Sequence, residues 1–412
     1  MATHLFRLAG CLLFASACLA SAQSNSWPQF LGPTRDAVYH GNDLAPQWPK
    51  EGPRTLWQTE AGEGFSGPVV AEGKLVLFHR VGSEEVVQAF DRLTGKPQWS
   101  FKYPTKFKDG IRADNGPRST PAIFDGRVYT YGAEGELHCI DFKTGERIWN
   151  VSGKKEFNVT PRWHGVVCSP LLEGDAVILN IGNTNDAGIV AFNRKTGEVL
   201  WKSTKHKVSC SSPIAATIGG KRYVLTMSSR SLSVLDPLTG KEFFTHTLDA
   251  RHKDHLLATC PVVIGDTVFA SGAYNVGGHL MRVADGKREK LWNTPELATQ
   301  YATPIFYEGA IYGVHGQWES GVDLRCIDAK TGELKWSRPE YKESTIVRAG
   351  DELLVLTYMG LLAKGKISAA GFKENARAQV ASFGVRAYPA LADGLLYLRT
   401  RNKLQCLDLR KQ

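Results

Sequence analysis

Several common signals are scarce or missing in this sequence. There are only 4 methionines among 412 residues, and no long stretch keeps the three-four apolar spacing of an amphipathic helix. A helical bundle is therefore excluded. No apolar run after the first 22 residues is long enough to cross a bilayer as a helix. No CxxC pair and no HxxxH marks a zinc site. No Gly-x-Ser-x-Gly elbow announces a serine nucleophile. The net charge of +9 is modest, and no Lys/Arg run with interleaved aromatics suggests nucleic acid. Solvated surface charge is the simpler reading.

What the chain does have is one phrase, repeated. Cys326-Ile-Asp-Ala-Lys-Thr-Gly-Glu-Leu-Lys-Trp336 reads as strand, tight turn, strand. The Asp328 carboxylate can accept backbone NH groups two residues on, and Gly332 can supply a positive φ. Copies end at Trp99, Trp149, Trp201 and Phe244, and a shortened copy ends at Trp292. The turn glycines Gly95, Gly145, Gly197, Gly240, Gly286 and Gly332 are 50, 52, 43, 46 and 46 residues apart. A period in this range is that of a propeller, in which each unit packs on its neighbours.

Each unit opens on a second marker, a small or hydroxyl residue before proline. These are Gly67-Pro68, Thr120-Pro121, Ser169-Pro170, Ser212-Pro213, Cys260-Pro261, Thr303-Pro304 and Tyr388-Pro389. Two strands and a glycine turn follow before the hairpin phrase, which gives four strands per unit. The stretch 343–380 lacks proline, turn glycine and tryptophan, yet keeps apolar strands, and is expected to be a degenerate seventh unit. Residues 386–409 supply three strands of an eighth. Thr55–Thr59 supplies the missing outer strand, closing the ring and removing its open edges. The expected architecture is thus an all-β, eight-bladed β-propeller over residues 55–412, after an extended arm at 23–54. Trp57, Trp99, Trp149, Trp201, Trp292 and Trp336 share one outer-strand position, which suits packing between blades better than ligand stacking.

Residues 1–22 have the form of an export signal, with Arg7, an apolar stretch and Ala20-Ser21-Ala22 before the expected cleavage point. A periplasmic or secreted location follows, with a lipoprotein attached through Cys18 as the rival. Of the remaining cysteines, Cys139, Cys326 and Cys406 alternate with alanines at one repeat position. They are expected to be small buried apolar residues.

The two motifs together resemble the quinoprotein-type β-propeller repeat. That superfamily includes pyrroloquinoline-quinone-dependent dehydrogenases and the outer-membrane assembly factor of the BamB type. The resemblance covers roughly residues 55–409. Its enzymes have adjacent cysteines beside the quinone and calcium held by acidic and amide side chains. No Cys-Cys pair occurs here, so no catalytic residue carries over and neither cofactor nor metal is expected. The quinone stays open as a cofactor without residues that support it.

In four-stranded blades, the loops before the inner strand and between the second and third strands share one face. That face is irregular here. It holds Arg112, Arg118, Arg162, Trp163, His164, His206, His255, Tyr301, Trp318 and Arg386, the candidate binding residues. The arginines suit anionic groups and the aromatic rings suit stacking. A structural role in a wet channel is the competing reading for each. His252, Asp254 and His255, with His164, His206 and His315, are the side chains that would converge if a metal were held. The expectation is a non-enzymatic binding or assembly scaffold for a polar or anionic small molecule or a protein partner. The alternatives are a quinone- or metal-dependent oxidoreductase and a glycan-binding module.

Overall fold

A computed structural model describes residues 26–110, 113–183, 186–248, 257–317 and 321–411. Eight sheets form the molecule, one per repeat. Blades 1 to 7 span residues 69–104, 122–152, 171–203, 214–247, 262–294, 305–338 and 344–379. Blade 8 consists of Ala390–Ala392, Leu395–Arg399 and Lys403–Asp408, completed by Arg54–Glu60 from the other end of the chain. Trp57 stands opposite Cys406 in that closing pair. The stretch 343–380 does form blade 7, built from apolar strands without the usual turn.

The repeated phrase folds as its chemistry dictates. The Asp141 carboxylate accepts the NH groups of Lys143 and Thr144, both at 2.8 Å. Gly145, at φ 80°, returns its own NH to the Asp141 carbonyl at 2.9 Å. The same bonds recur at Asp91, Asn193, Asp236 and Asp328. The position before the turn pairs across the sheet with the tryptophan: Ala89 with Trp99, Cys139 with Trp149, Ala191 with Trp201, Cys326 with Trp336. Small side chains leave room beside the ring in these four blades, while the shortened copy sets Leu280 opposite Trp292. All six cysteines of the described residues are free thiols.

Each tryptophan then reaches the next blade. The indole NH groups of Trp57, Trp99, Trp149 and Trp201 donate to the carbonyls of Arg92, Phe142, Arg194 and Pro237 at 2.9–3.2 Å. Their ring faces lie against the turn glycine of that blade; a Cβ on Gly240 would come within 2.4 Å of Trp201 Cε3. The glycine is therefore required twice, by its φ of 70° and by the ring. Between blades 4 and 5 the pattern shifts by one residue. Phe244 holds the paired position opposite Val234, but Phe243 is the ring that meets Gly286.

The marker before each proline builds a belt around the hub. The NH of Gly67 donates to Thr120 Oγ1, that of Thr120 to Ser169 Oγ, and that of Ser169 to Ser212 Oγ, at 2.8–3.1 Å. Further round, Cys260 Sγ reaches the Ser212 carbonyl and the Cys260 NH donates to Thr303 Oγ1. Blade 7 has no marker. The longer Tyr388 bridges that gap, its hydroxyl accepting the Thr303 NH at 2.7 Å.

The N-terminal arm runs into this hub. Trp27 pairs with Val70 of blade 1, and the Pro28 carbonyl accepts the NH of Ile123 in blade 2. Val38–Tyr39 adds a parallel fifth strand to the inner edge of blade 7. Trp27, Leu31, Arg35 and Ala37 are all buried. Arg35 donates to the carbonyls of Pro170 and Ser169 of blade 3 at 2.7 and 3.3 Å.

Candidate functional site

The belt and the arm together floor a cavity of about 440 Å³ at the centre of the irregular face. Phe30 of the arm forms part of that floor, edge-on to Tyr388 with ring centres 5.4 Å apart. The walls come from loops that precede inner strands: Phe65, Arg118, Trp163 and His164, Cys210, Gln300 and Tyr301, Glu343, and Arg386. Tyr274 and Tyr358 join them from loops between second and third strands. The cavity is thus convergent, with nearly every blade contributing.

Five of the ten candidate residues meet there: Arg118, Trp163, His164, Tyr301 and Arg386. Trp163 and Tyr301 stand at the mouth, 64% and 50% exposed. Arg162 precedes Trp163 in the same loop and bridges to Gly165, but does not line the cavity. His206 lies elsewhere, between blades 3 and 4, where its Nε2 is 3.3 Å from Glu242 and 3.4 Å from Thr245 Oγ1. Arg112, His255 and Trp318 fall outside the described residues, as do His252 and Asp254. Among the described residues no three His, Cys, Asp or Glu side chains are grouped to hold a metal.

The two arginines of the cavity have different work. Arg118 is held by the protein. It donates to the His164 carbonyl at 2.9 Å, lies 3.4 Å from the fully buried Asp109 carboxylate, and covers the Phe65 ring at 5.2 Å. Asp109 also accepts the Ala113 NH at 2.6 Å and lies 3.5 Å from His164 Nδ1. Burial, then the nearby Arg118, lowers the His164 pKa, with Asp109 opposing, so the ring stays neutral near pH 7. Arg118, Asp109 and His164 make one charge-matched cluster, although the buried Asp109 Oδ1 that faces both partners accepts no hydrogen bond among the described residues. Arg386 is different: its guanidinium sits over Tyr358, Phe65 and Tyr301 at 5.0, 5.7 and 5.7 Å from the ring centres. These ring faces fix its position while leaving its NH donors to the cavity. Burial raises the Cys210 thiol to about 12, which keeps it protonated and a poor nucleophile.

Phe30, Phe65, Glu343 and Tyr358 were not singled out from sequence. Phe65 and Glu343 sit just before inner strands, the same class of position as Arg118, so the loop rule extended to every unit would have found them. Phe30 had no such signal, because the arm has no repeat.

The family model described as outer membrane protein assembly factor BamB matches residues 83–338. The outer membrane protein assembly factor BamB of Shewanella oneidensis is 22% identical over 383 residues, covering 85% of this chain and 87% of that protein. A quinoprotein ethanol dehydrogenase of Pseudomonas aeruginosa is 28% identical over 184 residues; the match covers 41% of this chain and only 28% of the enzyme's length. Solved structures share the fold. BamB from Moraxella catarrhalis has a TM-score of 0.62 at 16% identity, covering 86% of this chain and 96% of that one. The quinohemoprotein alcohol dehydrogenase of Comamonas testosteroni has a TM-score of 0.63 at 14% identity, covering 98% and 83%. With a match over more than half its length and the same propeller, the chain belongs to the PQQ-like repeat family described by the assembly factor BamB.

Proposed function

We propose that this is an exported propeller scaffold that binds a polar ligand or a protein partner on its irregular face, centred on the hub cavity. The observation that supports it best is the convergence of Arg118, Trp163, His164, Tyr301 and Arg386 on one 440 Å³ cavity, while the turn face repeats small hydrogen-bonded turns. Met359 and Phe383, in loops of blades 7 and 8, are further exposed apolar side chains. Export rests on the form of residues 1–22. Among the described residues no helix is long and apolar enough to cross a membrane.

The quinoprotein relatives raise a second reading, an oxidoreductase. The residues present do not fit a quinone with its calcium. Glu343 is the one carboxylate among the described lining residues, and Cys168, Cys210 and Cys260 come from three separate blades with no two adjacent. Adding quinone and calcium should therefore give no stoichiometric chromophoric complex. A glycan reading rests on Trp163 and Tyr301 alone as stacking platforms.

Photo-crosslinking tests the scaffold reading. A photoreactive residue is placed at Trp163 or Tyr301, or at Leu238, which is 85% exposed on a turn. In the native source, adducts should form at 163 and 301 and not at 238. Adducts confined to 238 would overturn it.

A further inference from the structure

The hub cavity contains two opposite charges without partners among the described residues. Arg386 has ring faces around it and, among the described residues, no hydrogen bond and no ion pair. Glu343 lines the same cavity from the turn that opens blade 7. Its backbone carbonyl accepts the Tyr358 NH at 2.8 Å, but its carboxylate has no partner among the described residues. Its φ of 42° is one that side-chain-bearing residues rarely adopt, so the backbone is strained where the carboxylate is presented. The two do not pair with each other within 4 Å, yet the Tyr301 hydroxyl feels both, Arg386 lowering its pKa and Glu343 raising it against a background of burial.

The remaining charges at the cavity are spoken for. Arg118 is matched by Asp109, and His164 is neutral. A ligand with one negative group would satisfy Arg386 and leave Glu343 desolvated and alone, which is unfavourable. A ligand with one positive group would do the reverse. Phe30 and Phe65 line the same cavity, so apolar rings stand beside the two charges. We propose that the hub cavity binds a small amino-acid-type zwitterion, its carboxylate on Arg386, its ammonium on Glu343 and a large apolar side chain against Phe30 and Phe65. This deepens the reading of the irregular face as the binding face and rests on it.

Calorimetric titration of the whole protein decides it with four probes. L-phenylalanine and L-phenylalanyl-L-phenylalanine carry both charges, 3-phenylpropionate lacks the ammonium, and phenethylamine lacks the carboxylate. At least one zwitterion should bind about tenfold or more tighter than either singly charged probe, as one charge-assisted hydrogen bond implies. Glu343→Gln should erase the advantage of that zwitterion over 3-phenylpropionate, whose own binding should tighten because the stranded carboxylate is gone, and so shows the variant is folded. Arg386→Gln should weaken the zwitterion and 3-phenylpropionate alike and spare phenethylamine. Equal affinity for 3-phenylpropionate and the zwitterions, or no effect of Glu343→Gln, would overturn the inference while leaving the irregular face as a binding face. If none of the four binds, the inference fails; if crosslinks at 163 and 301 are missing as well, the parent reading fails with it.

Discussion

The contact between each tryptophan and the next blade's turn glycine can be weighed by two matched substitutions. Gly240 and Gly265 both sit in tight turns with similar φ, 70° and 60°. Alanine at either place incurs the left-handed penalty, about 1–2 kcal/mol. The surroundings differ. A Cβ at Gly265 meets nothing within 4 Å, whereas at Gly240 it comes within 2.4 Å of Trp201 Cε3 and 2.7 Å of Cδ2. Trp201 is 8% exposed and tethered through its indole NH to the Pro237 carbonyl at 3.0 Å, so it has little room to retreat. Overpacking of this kind adds about 1–3 kcal/mol. Gly265→Ala should therefore lose about 1–2 kcal/mol, and Gly240→Ala about 2–5 kcal/mol, in equilibrium urea denaturation. Trp201→Ala alone should cost about 3–5 kcal/mol. In the double variant Gly240→Ala with Trp201→Ala the clash is gone, so the losses should fall short of additivity by about 1–3 kcal/mol. Equal losses at 240 and 265, or strict additivity, would refute the interblade role of the ring.

Two further outcomes test other parts of the account. Deleting Thr55–Thr59 removes the strand paired with Lys403–Asp408 and should lower the stability of the whole ring; limited proteolysis that clips only blade 8 would contradict closure as the reason. Acid should weaken the fold before carboxylates titrate. Burial, then Arg399, holds His79 down to about 4, and burial, then Arg147, holds His138 down to about 3. Unfolded histidine titrates near pH ~6.5, so below that the unfolded chain takes up protons that the folded chain refuses. Stability is complete above pH ~6.5 and falls toward pH ~4 by about 1.4 kcal/mol per unit for each such histidine. His138→Gln should flatten that slope between pH 6 and 5; an unchanged slope would show that His138 takes no part.

The fold was legible because its signals are local and repeated. Asp141, Gly145 and Trp149 each act within one hairpin or on the next one, so a period of about fifty residues carried the whole ring. The degenerate blade was legible from its short apolar runs alone. The arm's path was not. Its burial depends on Trp27, Leu31, Arg35 and Ala37, the first three of which stand four apart as on a helix face where no helix forms, and on positive φ at Leu31, Arg35 and Ala37, where no glycine announces it. The site was half legible. Loop position identified the right face, but residue type could not separate Arg118, which the protein satisfies internally, from Arg386, which it does not. His206 shows the same limit: its loop reaches Glu242 of the next blade rather than the hub.

On this reading the propeller meets its ligand or partner at the hub of the irregular face. A cryo-EM map of the protein purified from its native source tests that most directly. Density is expected inside the cavity between Arg386 and Trp163, or seated on the rim made by Trp163 and Tyr301. An empty hub with a partner bound across the turns at Lys143-Thr144-Gly145 and Lys195-Thr196-Gly197 would contradict it.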